Sequence, residues 1–278
     1  MTSAIDATKP VTGSPTTQSV RDNFATAKTE ISALQAAVDV INVSTWVGLG
    51  VCTYETADGP TFQFSISADV TGIIGVGHRV KLTQTTVKYF IVTAVGAFTA
   101  GKTIITIYGG TDYVLANAPI TLPYFSMQRC PIGFPLLKSK WRVLVTDTAV
   151  RSQSSPVVNT KYNLGGLQIS VPIGAWNLGY RVYAEAIGSI LQWAEMAATL
   201  STANNSETNV ALTSNFRLLT GLTTSYHGMP LAANDEILVV AKTTYYLNAW
   251  AWIAAQASIN FYGGSTTQTR IYAECAYL

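Results

Sequence analysis

With 278 residues the chain is long enough for two domains and a sizeable core, while only 12% of its residues are charged and the net charge is +2. There is no Lys/Arg block, so the electrostatic footprint of a nucleic-acid or anionic-membrane partner is missing. Cys52, Cys130 and Cys275 are odd in number, widely spaced and without a CxxC pair, which argues against a disulfide framework.

In chain order, residues 1–18 carry Pro10, Gly13 and Pro15 and too little apolar material to pack alone, so they read as an extended arm ordered only by docking onto a partner. Residues 1–10 include Asp6 and Lys9 and have no apolar core, so they do not form a secretory signal, and no apolar run reaches the roughly 18 residues of a spanning helix. The expectation is a protein made in a cytosol, leaving it, if at all, without a cleaved signal, and not inserted in a membrane.

Residues 19–43 are expected to form a coiled-coil helix. Val20, Phe24, Ala27, Ile31, Leu34, Val38 and Ile41 alternate at intervals of four and three, an uninterrupted heptad seam flanked by Arg21, Lys28, Glu30 and Gln35. A stripe this narrow suits packing along one line against copies of the same helix better than packing on its own domain, which calls for a wider face. Ser19 with Asp22 three residues on has the spacing of a capping box. Ile31, Val38 and Ile41 lean toward three strands and Leu34 toward two. Three heptads are marginal in water, so a second oligomerising element is expected downstream.

Residues 44–135 switch to period two. Phe62, Phe64 and Ile66 alternate with Gln63, Ser65 and Ser67 after an Asp58-Gly59-Pro60 turn, and further strands are predicted at 79–83, 87–95 and 103–108. A small antiparallel β barrel or sandwich is expected. Pro131-Ile132-Gly133-Phe134-Pro135 then limits the backbone and suits a stiff joint.

Residues 136–278 contain predicted strands at 141–145, 166–171, 176–186, 216–219, 236–247, 258–262 and 270–277, while 190–200 is apolar and ambiguous between strand and helix. About eight strands at this spacing suggest a jelly-roll β-sandwich, making the whole chain mainly β.

Met1-Thr2-Ser3-Ala4-Ile5-Asp6, Ser19-Val20-Arg21-Asp22-Asn23-Phe24 and the seam that follows resemble the N-terminus of tailed-bacteriophage fibre proteins, and Lys88-Tyr89-Phe90-Ile91-Val92-Thr93-Ala94-Val95 is similar to a β module of the same proteins. Val171-Pro172-Ile173-Gly174-Ala175-Trp176, Ala233-Asn234-Asp235-Glu236-Ile237-Leu238 and Ala257-Ser258-Ile259-Asn260-Phe261-Tyr262-Gly263 resemble the trimeric jelly-roll heads of complement-type and tumour-necrosis-factor-like domains. Asn234-Asp235 stands where such heads often have Gly-Asp, and Tyr262 intervenes before Gly263. The resemblance implies a homotrimeric virion tail fibre or spike that docks on another virion protein through residues 1–18 and attaches to host-surface glycan. A head-decoration or neck fibre without a receptor role is the alternative, and a glycan depolymerase a second.

Catalytic signatures are sparse. His78 and His227 are far apart without a metal-ligand cluster, and nucleophile-elbow, P-loop and dinucleotide fingerprints are absent. Asp235 and Glu236 are adjacent and would point to opposite strand faces. A distant carboxylate pair of the kind a glycan hydrolase uses is not visible from sequence. The expectation is therefore no enzyme, no cofactor and no metal. Among the crowded aromatics, Tyr245, Tyr246, Trp250, Trp252, Trp193 and Tyr226, strand-core packing is the commoner role. Tyr226, His227, Trp250 and Trp252 are the candidate receptor contacts, Tyr226 and His227 because 221–230 reads as a loop.

Overall fold

The computed structural model describes residues 17–43, 45–188, 193–219, 225–252, 257–264 and 267–278. One helix is followed by seventeen strands in these residues, all pairing antiparallel.

The helix, α1 (Thr17–Val43), starts earlier than the Ser19 cap predicts. Ser19 lies inside the first turn, and the Asp22 carboxylate accepts from the Gln18 side-chain amide at 2.8 Å. Asp22 therefore serves an i,i+4 contact on the helix surface rather than a capping box. Of the proposed arm, residues 17 and 18 belong to the helix, and 1–16 lie outside the described residues. At 27 residues the helix is about 40 Å long. No described helix is long and apolar enough to span a bilayer.

The first β module comprises β1 (Val47–Gly48), β2 (Cys52–Asp58), β3 (Thr61–Ile66), β4 (Arg79–Gln84), β5 (Thr86–Val95), β6 (Thr103–Tyr108) and β7 (Thr121–Ser126). They form one sheet in the order β1-β7-β4-β5-β6-β3-β2. The two edge strands are consecutive in sequence, joined only by Leu49, Gly50 and Val51, so the sheet must curl until its edges nearly meet. Period two fills the interior of this open barrel: Phe62, Phe64 and Ile66 meet Val80, Leu82, Phe90, Val92, Ile105 and Ile107, all buried.

Strand β5, predicted at 87–95, is covered on both faces. Its even-numbered residues Phe90 and Val92 face the barrel interior, while Tyr89 and Ile91 join the core of the second module. Both faces are covered, which is why the stretch reads as a continuous apolar run.

The second module contains β8 (Arg142–Asp147), β9 (Arg151–Ser154), β10 (Tyr162–Val171), β11 (Gly174–Gly188), β12 (Trp193–Ser201), β13 (Thr213–Leu219), β14 (Ser225–Val239), β15 (Thr243–Ala251), β16 (Ser258–Tyr262) and β17 (Thr269–Cys275). Two sheets result, one ordered β10-β15-β12-β13 and the other β8-β17-β11-β16-β9, with β14 along the other side of β11. Leaving β9 and β16 aside, first, last, third and sixth strands share one sheet, and second, seventh, fourth and fifth the other. This is a jelly-roll-like β-sandwich. Trp176, Leu178, Tyr180 and Val182 of β11 pack between the sheets with Met196, Ala198 and Leu200 of β12 and Leu247 and Ala249 of β15.

Three sequence expectations change here. Residues 190–200, ambiguous by pattern, include the start of β12, whose ladder runs against both β13 and β15; residues 190–192 are outside the described set. Residues 236–247 form parts of two strands, because the chain turns at Val240, Ala241 and Lys242 between β14 and β15. Residues 225–230, expected as loop, belong to β14 and pair with β11. Pro230 is tolerated because β14 pairs only with β11 among the described residues, leaving its other side free. Gly228 is required because a Cβ there would come within 2.4 Å of the Tyr183 ring.

The Pro131–Pro135 joint is packed into the body. Phe134 is buried and stacks on Trp141 with ring centroids 5.0 Å apart at 9°. Trp46 Nε1 donates to the Ile132 carbonyl at 2.8 Å and Trp141 Nε1 to the Pro135 carbonyl at 2.6 Å. Tyr108 of β6 meets the Trp176 ring edge-on at 4.9 Å. One aromatic cluster thus spans both modules, and large buried rings of this kind dominate packing energetics.

Candidate functional site

Two regions carry the residues singled out from the sequence, and the first is the helix. Phe24, Ile31 and Leu34 are 72%, 66% and 58% exposed, so no described part of the chain covers these seam positions. Val20 and Ala27 are half-buried, and the side chains of Val38 and Ile41 lie outside the described residues. An apolar line of this regularity facing water on a helix that leads into a folded body is unsatisfied in the single chain.

The second region is the end of the sandwich remote from the first module. Strand β11 begins beside the barrel, where a Cβ on Gly174 would touch Thr93 at 3.3 Å, and runs 15 residues, about 50 Å, to Gly188. Tyr226 and His227 are in register with Ile187 and Ala186, so the fold places their backbone at that far end. Their side chains are outside the described residues. Trp252 follows the last residue of β15, at the same end, because Ala251 pairs with Met196 near the start of β12.

Trp250 and Trp252 differ in role. Trp250 is 1% exposed and Trp252 is 37% exposed, their rings meeting edge-on at 5.9 Å. A buried Trp250 cannot stack on a ligand; it supports Trp252, which can. The ammonium of Lys161 lies 4.9 Å from the Trp250 ring centroid, a cation–π contact that closes the outer face of this sheet. Nothing in the sequence spacing pointed to Lys161, since the contact depends on how the segment before β10 folds over β15. Tyr245 and Tyr246 are half-buried, Tyr245 packing against the core and carrying a pKa raised by burial. The side chain of Trp193 is outside the described residues.

Polar anchoring makes that outer face rigid. Asn248, fully buried, donates to the carbonyls of Ala203 at 3.2 Å and Ser206 at 2.8 Å and accepts from the Asn205 amide at 3.1 Å. A buried side-chain amide satisfied on both ends holds the 202–208 turn against the sheet.

Two of the ionisable groups weighed from the sequence, His78 and Asp235, make local hydrogen bonds. His78 Nδ1 accepts from the Gly75 amide at 3.1 Å, and desolvation followed by the neighbouring Arg79 charge lowers its pKa, favouring neutral imidazole. Asp235 accepts from the Asn209 amide at 3.4 Å. Among the described residues no three His, Cys, Asp or Glu side chains gather to hold a metal ion. Burial pushes the Cys52 thiol up to about 12 and the Cys275 thiol up to about 11, while Cys130 is exposed.

No protein-family model and no curated protein matches the chain. Solved structures with some likeness include dimeric latent PorU from Porphyromonas gingivalis, at 11% identity and a TM-score of 0.28, covering 83% of this chain and 25% of that one. The Gx strain of infectious bursal disease virus matches at 14% identity and a TM-score of 0.24, covering 81% and 59%. The VP2 subviral particle of the same virus matches at 14% and 0.21, covering 81% and 59%. The chain spans less than two thirds of the length of each of these proteins, and likenesses this distant carry no argument about family or activity.

Proposed function

We propose that this chain is a non-enzymatic, homotrimeric tail fibre or spike of a tailed bacteriophage, anchored on the virion through residues 1–18 and contributing to attachment on host-surface glycan. The observation that carries the reading is the seam of α1, where Phe24, Ile31 and Leu34 stand exposed in the single chain. Two further copies of the helix would cover it as a coiled coil. The short rod needs a second oligomerising element, and the jelly-roll-like module, whose sequence resembles trimeric heads, is the candidate for it. The first module then spaces the rod from the head, and the far end of the sandwich, with Trp252 and the Tyr226-His227 pair, is the surface presented outward.

Light scattering on the purified protein should give close to three times 29.8 kDa. A stable monomer at micromolar concentration would overturn both oligomerising elements together. Deleting residues 2–18 should leave a folded trimer that no longer joins particles, and normal occupancy of the truncated protein on virions would place the anchor elsewhere.

A further inference from the structure

Strand β11 has different neighbours along one side. Its pairing with β17 ends at Arg181 opposite Arg270, and its pairing with β16 begins at Tyr183 opposite Tyr262. At Val182 the ladder on that side is broken, and β16 and β17 separate there. A cavity of about 500 Å³ opens over the break, lined by Arg181, Tyr183, Thr267, Gln268 and Arg270 among others.

The charges in this cavity are not balanced. Arg181 and Arg270 are direct cross-strand partners on the outer face, both exposed, with Cβ atoms expected about 5 Å apart. Like charges in that relation destabilise a sheet. Among the described residues no carboxylate forms an ion pair with either; Arg270 Nη2 donates to the neutral Gln268 amide oxygen at 3.3 Å. Glu185 and Glu274 lie four residues along β11 and β17 from the arginines, a spacing of about 13 Å. Tyr183 borders the pair with its orientation set: its hydroxyl donates to the Gly228 carbonyl at 3.1 Å, its ring lies on Gly228, and Tyr262 meets it edge-on at 6.1 Å.

We propose that this cavity binds an acidic saccharide, a sugar residue bearing a carboxylate or sulfate group. The two guanidinium forks would take the oxyanion in the bidentate manner arginine favours, the Thr267 hydroxyl and Gln268 amide would meet sugar hydroxyls, and the fixed Tyr183 ring would receive the apolar face of the sugar. Nucleic acid fits less well, because two arginines on a chain of net charge +2 do not make the basic stripe that tracks a phosphate backbone. The volume suits one or two sugar rings. The proposal names the glycan class for the attachment reading above and rests on that reading for the source of the sugar.

The test is calorimetric titration of the full chain with a galacturonate oligomer, a sulfated galactose oligomer, a neutral galactose oligomer of equal length and inorganic phosphate. One or both charged oligomers should bind saturably while the neutral oligomer and phosphate do not. Arg181→Gln and Arg270→Gln should each weaken binding by about tenfold or more, with unchanged scattering mass and a melting temperature no lower than wild type, since each removes one of two opposed like charges, and Arg181→Lys should fall between in affinity. Absence of binding by both charged oligomers, binding of neutral sugar or of phosphate alone, or undiminished binding by the double Gln variant would overturn the site. So would a lower mass for either variant, because the arginines would then hold a neighbouring copy of the chain. Particle assembly is read separately by the 2–18 deletion, so the site and the fibre reading can fail independently.

Discussion

Arg79 Nη2 donates to the backbone carbonyl of Tyr277 over 2.8 Å, tying β4 of the first module to the C-terminal segment of the second. The same guanidinium reaches the carbonyls of Gly77 at 2.6 Å and Arg129 at 3.0 Å, and its carbon sits 5.0 Å from the centroid of the Phe134 ring. Arg79 is fully buried, and burial lowers its pKa. Carbonyl dipoles and a ring face stabilise a cation that has no described acid partner.

Because this one side chain bonds both modules, Arg79→Ala should lower stability by about 3–5 kcal/mol, leaving three carbonyls short of a donor and a void under Phe134. Arg79→Lys, which keeps the charge and loses the fork, should recover only part of it. Urea unfolding followed at the tryptophans measures the loss, and a midpoint equal to wild type would show that the carbonyls find other donors.

Ile31→Asp or Leu34→Asp sets a charge on the exposed seam of α1. In a single chain these positions face water and the change would cost little. In a coiled coil each places unpaired charges between helices, so the helical circular-dichroism signal should drop while the strand signal persists. Spectra and melting curves identical to wild type would mean the seam stays wet.

The two distal tryptophans should separate stability from contact. Trp250→Ala removes a buried ring and its Lys161 contact and should cost about 3–5 kcal/mol. Trp252→Ala should stay within about 1 kcal/mol of wild type and reduce adsorption to host cells. Equal adsorption by Trp252→Ala would remove that ring from the attachment surface.

Thiol reactivity reports the packing of both modules. The thiolate is the reactive form, and burial raises the pKa of Cys52 to about 12 and of Cys275 to about 11, so at pH 8 both remain neutral and enclosed. Cys130 is exposed. Native protein should take up one equivalent of alkylating reagent per chain quickly, and denatured protein three. Rapid labelling of Cys275 in the native state would reveal opening of the contact between the modules.

The attachment reading also forecasts a negative result with a clear readout. Host-surface glycan incubated with the protein should keep its chain length by size-exclusion chromatography, and shortened products would make the chain a depolymerase.

Much of the local structure was legible in the residues. The four-and-three spacing from Val20 to Ile41 dictates a helix with one apolar line, and the alternation through Phe62, Phe64 and Ile66 dictates a strand with one covered face, because side-chain direction follows backbone period. Partner selection was not legible. Tyr89 and Phe90 look alike in sequence, yet one faces the second module and the other the barrel interior. β12 has both faces buried, so its run lacked the alternation that separates strand from helix, and only pairing with β13 and β15 decided it. Glycine and proline suggested a loop around His227, whereas a tyrosine ring lying on Gly228 and, beside Pro230, an edge with no second strand among the described residues make those residues good strand material. Arg181 and Arg270 stand far apart along the chain and meet only through the register of β11 with β17. The sequence by itself determined which stretches are helical or extended, since that depends on period and local backbone preference; only the tertiary structure decided which faces are covered and which charges meet, because those depend on contacts between strands remote in the chain.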